Sequence, residues 1–287
     1  MNDKTQPTYK RQRFLLSFIN NLSDGVTLTE IQKLVFLHTM YNGDAFYDFI
    51  PYKYGAYSFQ LADDIDILRR DGYIAKNASR VSRAGSNHLD CSINIESERG
   101  NNLIRRAYRE YPYYTINSEL TDKLFNGAEA KKFLDEKRKY QQTKNVLYTI
   151  GYEGKSIETF VNKLIQNGVK LLCDVRKNPL SRKFGFSKNK LKHITESIGI
   201  QYVHIPDLGI ESEMRKELAT PEDYNAVFDS YLDTLTEIEP YMDYVYSLLS
   251  AKKCIALMCY ESDAQMCHRH IIRDYITDTH SVRSIDL

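Results

Sequence analysis

Long apolar runs are missing from this chain. No window of its 287 residues approaches the roughly 20 apolar residues that a membrane-spanning helix requires. The opening stretch, MNDKTQPTYKRQRF, lacks the apolar core of a secretory signal peptide, so the expected location is the cytoplasm, with no membrane partner. Cysteine is scarce, odd in number and scattered, at positions 91, 173, 254, 259 and 267, which fits reduced thiols better than a disulfide framework. Also absent are a GxxxxGK[ST] phosphate loop, a Cys-X5-Arg phosphatase loop, internal repeats and low-complexity tracts; GYEG is too short for a dinucleotide fingerprint. Net charge is nearly absent too, at +1. It hides an asymmetry: 22 basic against 18 acidic residues over 1–145, and 17 against 20 over 146–287. The first half is therefore the one more inclined toward a polyanion.

The length suits two domains, and the hydrophobic fraction of 42% lets each bury a core. The expected class is α/β: a mainly parallel sheet flanked by helices over residues 146–287, preceded by a smaller, mostly helical domain. The second domain is organised around residues 146–176. An apolar β-branched and aromatic run, 146–150, breaks at Gly151 and Gly154. Ile157, Phe160, Val161, Leu164 and Ile165 then recur at helical period, and a second apolar strand, 169–173, ends in Asp174 and Arg176. This is a βαβ crossover. Further strands are expected at 201–205, at 254–259 (apolar throughout) and at 281–287, with a mostly helical insertion over 211–249. The strands starting near 146, 169, 201 and 254 are expected to be parallel neighbours. Polar groups at their carboxyl ends would face a ligand crevice, which makes Tyr152, Glu153, Asp174, Arg176, Tyr260 and Glu261 site candidates.

The first hundred residues read as a helix with Phe14, Leu15, Phe18, Ile19 and Leu22, then a helix capped by Thr27 or Thr29. A loop holding Tyr52, Tyr54, Gly55 and Tyr57 leads to a third helix from Ser58 to Arg70. A short strand at Tyr73-Ile74-Ala75 and a polar turn with Arg80 and Arg83 follow. That order resembles a winged helix, whose third helix enters the DNA major groove. Here that helix carries Asp63, Asp64 and Asp66 beside Arg69 and Arg70, and carboxylates on a DNA-facing surface repel phosphate. Residues 1–100 are thus expected to bind DNA or a partner, with oligomerisation as one use. Residues 101–145 read as a helical linker ending in a basic run, 137–144.

Residues 177–192, KNPLSRKFGFSKNKLK, hold Lys177, Arg182, Lys183, Lys188, Lys190 and Lys192 without one acid, interleaved with Phe184 and Phe186. Exposed aromatics among cations stack on or wedge between bases while the cations hold phosphates, so this loop is expected to contact nucleic acid. Cys267, His268 and Arg269 fall in the first turns expected of the last helix, where an anion is favoured.

TIGYEG, LLCDVRKNPLSRKFGFSK, IQYVHIPDLG and CYESDAQMCHR together resemble the recurring motifs of the bacterial domain-of-unknown-function family DUF 488, over roughly the last half of the chain. The resemblance implies that Tyr152, Glu153, Asp174, Arg176, Glu261, Cys267, His268 and Arg269 stand at signature positions. It also implies a link to antiphage systems, including enzymes that remove modified bases from phage DNA.

Three chemistries compete. Cys259, Cys267 and His268 are zinc-ligand types, but adjacent helical residues point about 100° apart, so no metal is expected. Cys267 near a helix N-terminus would have a lowered pKa and act as a nucleophile. Glu153, Asp174 and Glu261, from three strand ends, would converge as the carboxylates that N-glycosidic cleavage needs, without a cofactor. Tyr152, Tyr260, Phe184 and Phe186 would supply the floor and wedge for a flipped base, with Arg176 and Arg269 on phosphates. The chain is therefore expected to be a cofactor-independent glycosylase acting on modified double-stranded DNA. A non-enzymatic DNA-binding regulator with a nucleotide-sensing domain and a cysteine hydrolase are the alternatives.

Overall fold

A computed structural model describes residues 6–22, 24–43, 46–76, 80–82, 97–142, 144–211, 214 and 220–287. The chain divides into two units, Met1–Lys139 and Tyr140–Leu287.

In the first unit α1 (Lys10–Asn20), β1 (Val26–Thr27) and α2 (Leu28–Asn42) come first. Thr27, rather than Thr29, starts α2 through a reciprocal cap: its side chain accepts from the Glu30 N–H, and the Glu30 carboxylate accepts from the Thr27 N–H at 2.8 Å. The segment read as a tyrosine-bearing loop is a hairpin of β2 (Ile50–Tyr52) and β3 (Gly55–Tyr57). Ser58 caps α3 (Phe59–Arg70), accepting from the Leu61 N–H at 3.2 Å. The strand expected at Tyr73–Ala75 shrinks to a bridge at Ile74, and β4 (Arg80–Val81) pairs antiparallel with β1. Arg83 and Cys91 lie outside the described residues.

Two expectations for this unit are corrected. Asp64 is not a carboxylate on an outward helix face. It is fully buried and accepts from Arg11 Nε (2.7 Å), Gln12 Nε2 (2.7 Å) and the Tyr47 hydroxyl (3.0 Å), tying α3 to α1. Residues 101–145 are not a separate linker. α4 (Gly100–Glu110), α5 (Thr121–Leu124) and α6 (Gly127–Arg138) follow β4, and Leu103, Ile104, Tyr108, Phe125 and Phe133 join the core formed by Leu15, Phe18, Leu34, Phe36, Leu61 and Leu68. An apolar helix stripe has to be buried somewhere, and the nearest apolar surface wins.

The second unit runs β5 (Val146–Gly151), α7 (Ile157–Gln166), β6 (Leu171–Asp174), α8 (Lys188–Ser197), β7 (Gln201–His204), α9 (Pro221–Leu232), α10 (Leu235–Lys252), β8 (Cys254–Cys259), α11 (Arg269–His280) and β9 (Arg283–Asp286). Its sheet has the order β7-β6-β8-β5-β9, with every pairing parallel as expected. The strands near 146 and 169, however, do not lie side by side. β8 stands between them, with Cys259 opposite Gly151 and Met258 opposite Asp174. Its six residues are all buried, the mark of a central strand covered on both faces. Leu147, Leu171, Cys173, Leu257 and Cys259 pack with Met242, Val245 and Leu249 of α10 and Ile272 and Ile276 of α11. The alternate residues face the other side, where right-handed crossovers lay α7 and α8. Chain direction across the sheet therefore reverses at β8, and a crevice opens at its carboxyl end.

Candidate functional site

The strand exits around β8 meet backbone against backbone. A Cβ on Gly151 would overlap the Glu261 carbonyl, so only glycine lets the β5 and β8 exits pass so closely. The Glu153 N–H donates to the Tyr260 carbonyl at 2.9 Å, and the Glu153 carboxylate accepts from the Ser262 N–H at 3.0 Å. Glu153 is exposed, and beside it the Tyr260 ring is 43% exposed, set edge-on to Tyr152 at 5.2 Å. Lys183 donates to the Tyr152 carbonyl at 3.0 Å and Lys155 to the Ser262 hydroxyl at 3.3 Å. Both ammonium pKa values are lowered. Burial is the main cause for each, and Lys155 also meets the charges of Lys163, Arg269 and Lys183.

Beneath this rim lies a closed polar cluster. Asp174, fully buried, takes Arg176 Nε at 2.8 Å and Nη2 at 2.6 Å, and accepts from the Tyr202 hydroxyl at 2.6 Å. Arg176 Nη1 also donates to the Tyr152 hydroxyl (3.2 Å) and the Phe186 carbonyl (3.0 Å). Burial works against the guanidinium charge, but the Asp174 carboxylate more than offsets it and raises the Arg176 pKa. Burial and Asp174 likewise raise the Tyr202 pKa. The ring of Phe186 stacks on Tyr152 at 4.3 Å and meets Phe160 edge-on at 5.3 Å.

Several expected contacts are therefore corrected. Asp174 does not converge with Glu153 and Glu261 as an open carboxylate, because Arg176 and Tyr202 occupy its oxygens. Arg176 is only 3% exposed, so it is a partner for Asp174 rather than a phosphate contact. Phe186 is a core ring, since a basic stretch does not dictate which way its aromatics turn. Arg269 is engaged by the loop after β8, donating to Glu261 O (2.7 Å) and Ser262 O (3.1 Å), and by Thr149 Oγ1 (3.2 Å). Cys267 is buried, and burial, followed by the neighbouring Cys259, pushes its thiol pKa up rather than down. A nucleophilic thiolate is disfavoured there.

The acid-free loop keeps some of its cations outward. Arg182 and Lys188 are exposed, with Lys188 Nζ 3.0 Å from His204 Nδ1. Lys177 pairs with Glu211 at 2.8 Å, and the Lys190 ammonium sits 5.0 Å over the half-buried Phe184 ring. Leu180, at 84% exposure the most exposed large apolar side chain among the described residues, stands in this loop and was not singled out from the sequence. Tyr202 was also missed. Its signal was parity: it shares a strand face with His204, which pairs with Asp174.

On the opposite side of β8 a small cavity is lined by Glu261, Cys267 and His268 with Ile210, Tyr224, Val227, Phe228 and Met266. Cys267 and His268 were expected to diverge on a helix. α11 begins only at Arg269, so both precede the first helical turn, and their side chains converge.

Residues 156–276 match the family model of DUF488, a domain of unknown function. The DUF488 span holds Asp174, Arg176, the basic loop, Glu261, Cys267, His268 and Arg269, and leaves Tyr152 and Glu153 just ahead of it. The resemblance read from the motifs is thus shown over residues 156–276. No curated protein and no solved structure matches the chain. Among the described residues no helix is long and apolar enough to cross a membrane.

Proposed function

We propose that the second unit is a DNA-acting hydrolase that cleaves an N-glycosidic bond in modified duplex DNA, as in antiphage defence, with Glu153 as the reacting carboxylate. One observation carries this reading: Glu153 is an exposed carboxylate at a strand exit, oriented by the Ser262 N–H and flanked by the exposed Tyr260 ring. A fixed carboxylate stabilises the oxocarbenium-like transition state and activates water, and this chemistry draws on no cofactor. Tyr260 offers a stacking face for an extruded base. Arg182 and Lys188 would hold phosphates, and Leu180 would serve as the wedge in place of the buried Phe186.

A regulator that binds DNA without cleaving it is the second reading. The enclosure of Asp174, Arg176 and Arg269 favours it, since three expected polar groups are out of reach of a ligand. Incubation with normal and modified duplex DNA, followed by alkali, separates the two. Strand breaks at abasic sites that disappear in Glu153→Gln support the glycosylase; binding without breaks in the parent protein rejects it.

A further inference from the structure

Cys259, Cys267 and His268 meet on the α10–α11 side of the sheet. One ligand atom of each lies within 4.8 Å of the others. His268 Nδ1 is 4.0 Å from the Cys259 sulfur and 3.9 Å from the Cys267 sulfur. A tetrahedral zinc ion with Zn–S of about 2.3 Å and Zn–N of about 2.0 Å sets its sulfur and nitrogen ligands roughly 3.6 Å apart. A contraction of a few tenths of an ångström would bring both sulfur–nitrogen distances to that spacing, and the two sulfurs, within 4.8 Å of each other, would draw together on the same ion.

The second ring nitrogen makes the case independent of proximity. His268 Nε2 lies 3.2 Å from the Val175 carbonyl. A carbonyl only accepts, so Nε2 carries the hydrogen and Nδ1 turns a lone pair toward both sulfurs. A backbone carbonyl holding the far nitrogen is the usual support of a metal-bound imidazole. All three side chains are buried, and the Tyr231 ring closes on His268 edge-on at 5.5 Å. The cavity beside Cys267 and His268 is small, about 10 Å³, and Glu261 borders it.

We propose that Cys259, Cys267 and His268 bind one zinc-class divalent ion, with its fourth position toward the cavity bordered by Glu261. Two thiolates and an imidazole select a borderline-soft ion over magnesium or calcium. Three protein ligands with a position left over for water or a carboxylate is the pattern of an open site. On binding, each thiol releases its proton to solvent as its sulfur bonds the metal, His268 releases none, and nothing is oxidised or reduced. The ion would pin the exits of β6, through Val175, and β8 to the start of α11.

The test uses the full chain, purified under reductant, stripped with a chelator and titrated anaerobically with Co²⁺ and then Zn²⁺. The expected result is one ion per chain, a thiolate-to-cobalt charge-transfer band that zinc abolishes, and protection of two thiols from a thiol reagent. Cys259→Ser and Cys267→Ser should each lose the band while keeping the parent far-UV circular dichroism. Thiol protection in the parent protein covers the case in which either variant misfolds. Absence of the band, a band that survives both substitutions, or a Cys259–Cys267 disulfide in protein kept reduced would each overturn the proposal.

Discussion

Asp174 and Arg176, two residues apart at the end of β6, close on one another in a two-pronged ion pair with both side chains buried. Such a pair is costly to break, because removing one partner strands a charge away from water. Arg176→Met should therefore destabilise the second unit by about 3–5 kcal/mol. Asp174→Asn should fall in the same range, and the double variant should lose much less than the sum of the two. Urea unfolding of the four proteins measures this; losses below about 1 kcal/mol would mean that water reaches the pair.

Glu153→Gln removes a charge from the rim without opening the core. Base excision should drop by about 100-fold or more, with DNA affinity nearly unchanged, since the missing interaction belongs to the transition state. Single-turnover rates against binding isotherms provide the comparison. Equal losses in rate and affinity would assign Glu153 to binding alone.

The basic loop divides into outward and inward members. Arg182→Ala with Lys188→Ala should flatten the salt dependence of DNA binding by about 0.9 logarithmic units for each phosphate no longer neutralised. Leu180→Ala should leave that slope unchanged while lowering excision. Phe186→Ala should instead cost about 3–5 kcal/mol of stability by opening a cavity against Tyr152 and Phe160. A full set of slopes identical to the parent would return the loop to an ordinary solvated surface.

Lys33 gives the first unit a pH signature. It is fully buried and donates to the Ala56 carbonyl at 2.7 Å, and burial lowers its pKa from 10.5 to about 7. Between those values the unfolded chain carries the extra proton, so stability should rise as pH increases from about 7 toward 10.5, and the penalty should be complete below 7. Lys33→Met should flatten this rise. Denaturant midpoints at about pH 6 and about pH 9 provide the check; a variant with the same pH slope as the parent would clear Lys33 of the effect.

The strands were legible because composition reports burial: CIALMC is apolar at every position, and β8 is buried at every position. Their order was not, since nothing within Val146–Gly151 or Leu171–Asp174 tells which strand will lie alongside. The polar candidates do stand at strand ends, but their exposure was not legible. Whether Asp174 looks out or in depends on Tyr202, a residue 28 positions away. Cys267 and His268 were misjudged by the placement of one helix start, because two residues outside the first turn escape helical geometry. The first unit's last helices were taken for a linker because their polar faces dominate the sequence, while Leu103, Tyr108 and Phe133 are few.

The strand order also has a kinetic side. β8 fills the gap between two strands made long before it, so the β5–α7–β6 crossover leaves its two strands unpaired with one another, and each waits with an unsatisfied edge. Closing so distant a gap is slow, and waiting edges are sticky. A chain halted before Cys254 would hold the β7–β6 pair, an unpaired β5 and no finished crevice. At high concentration, the same gap would take β8 from a second copy, and refolding yields should fall with concentration for that reason.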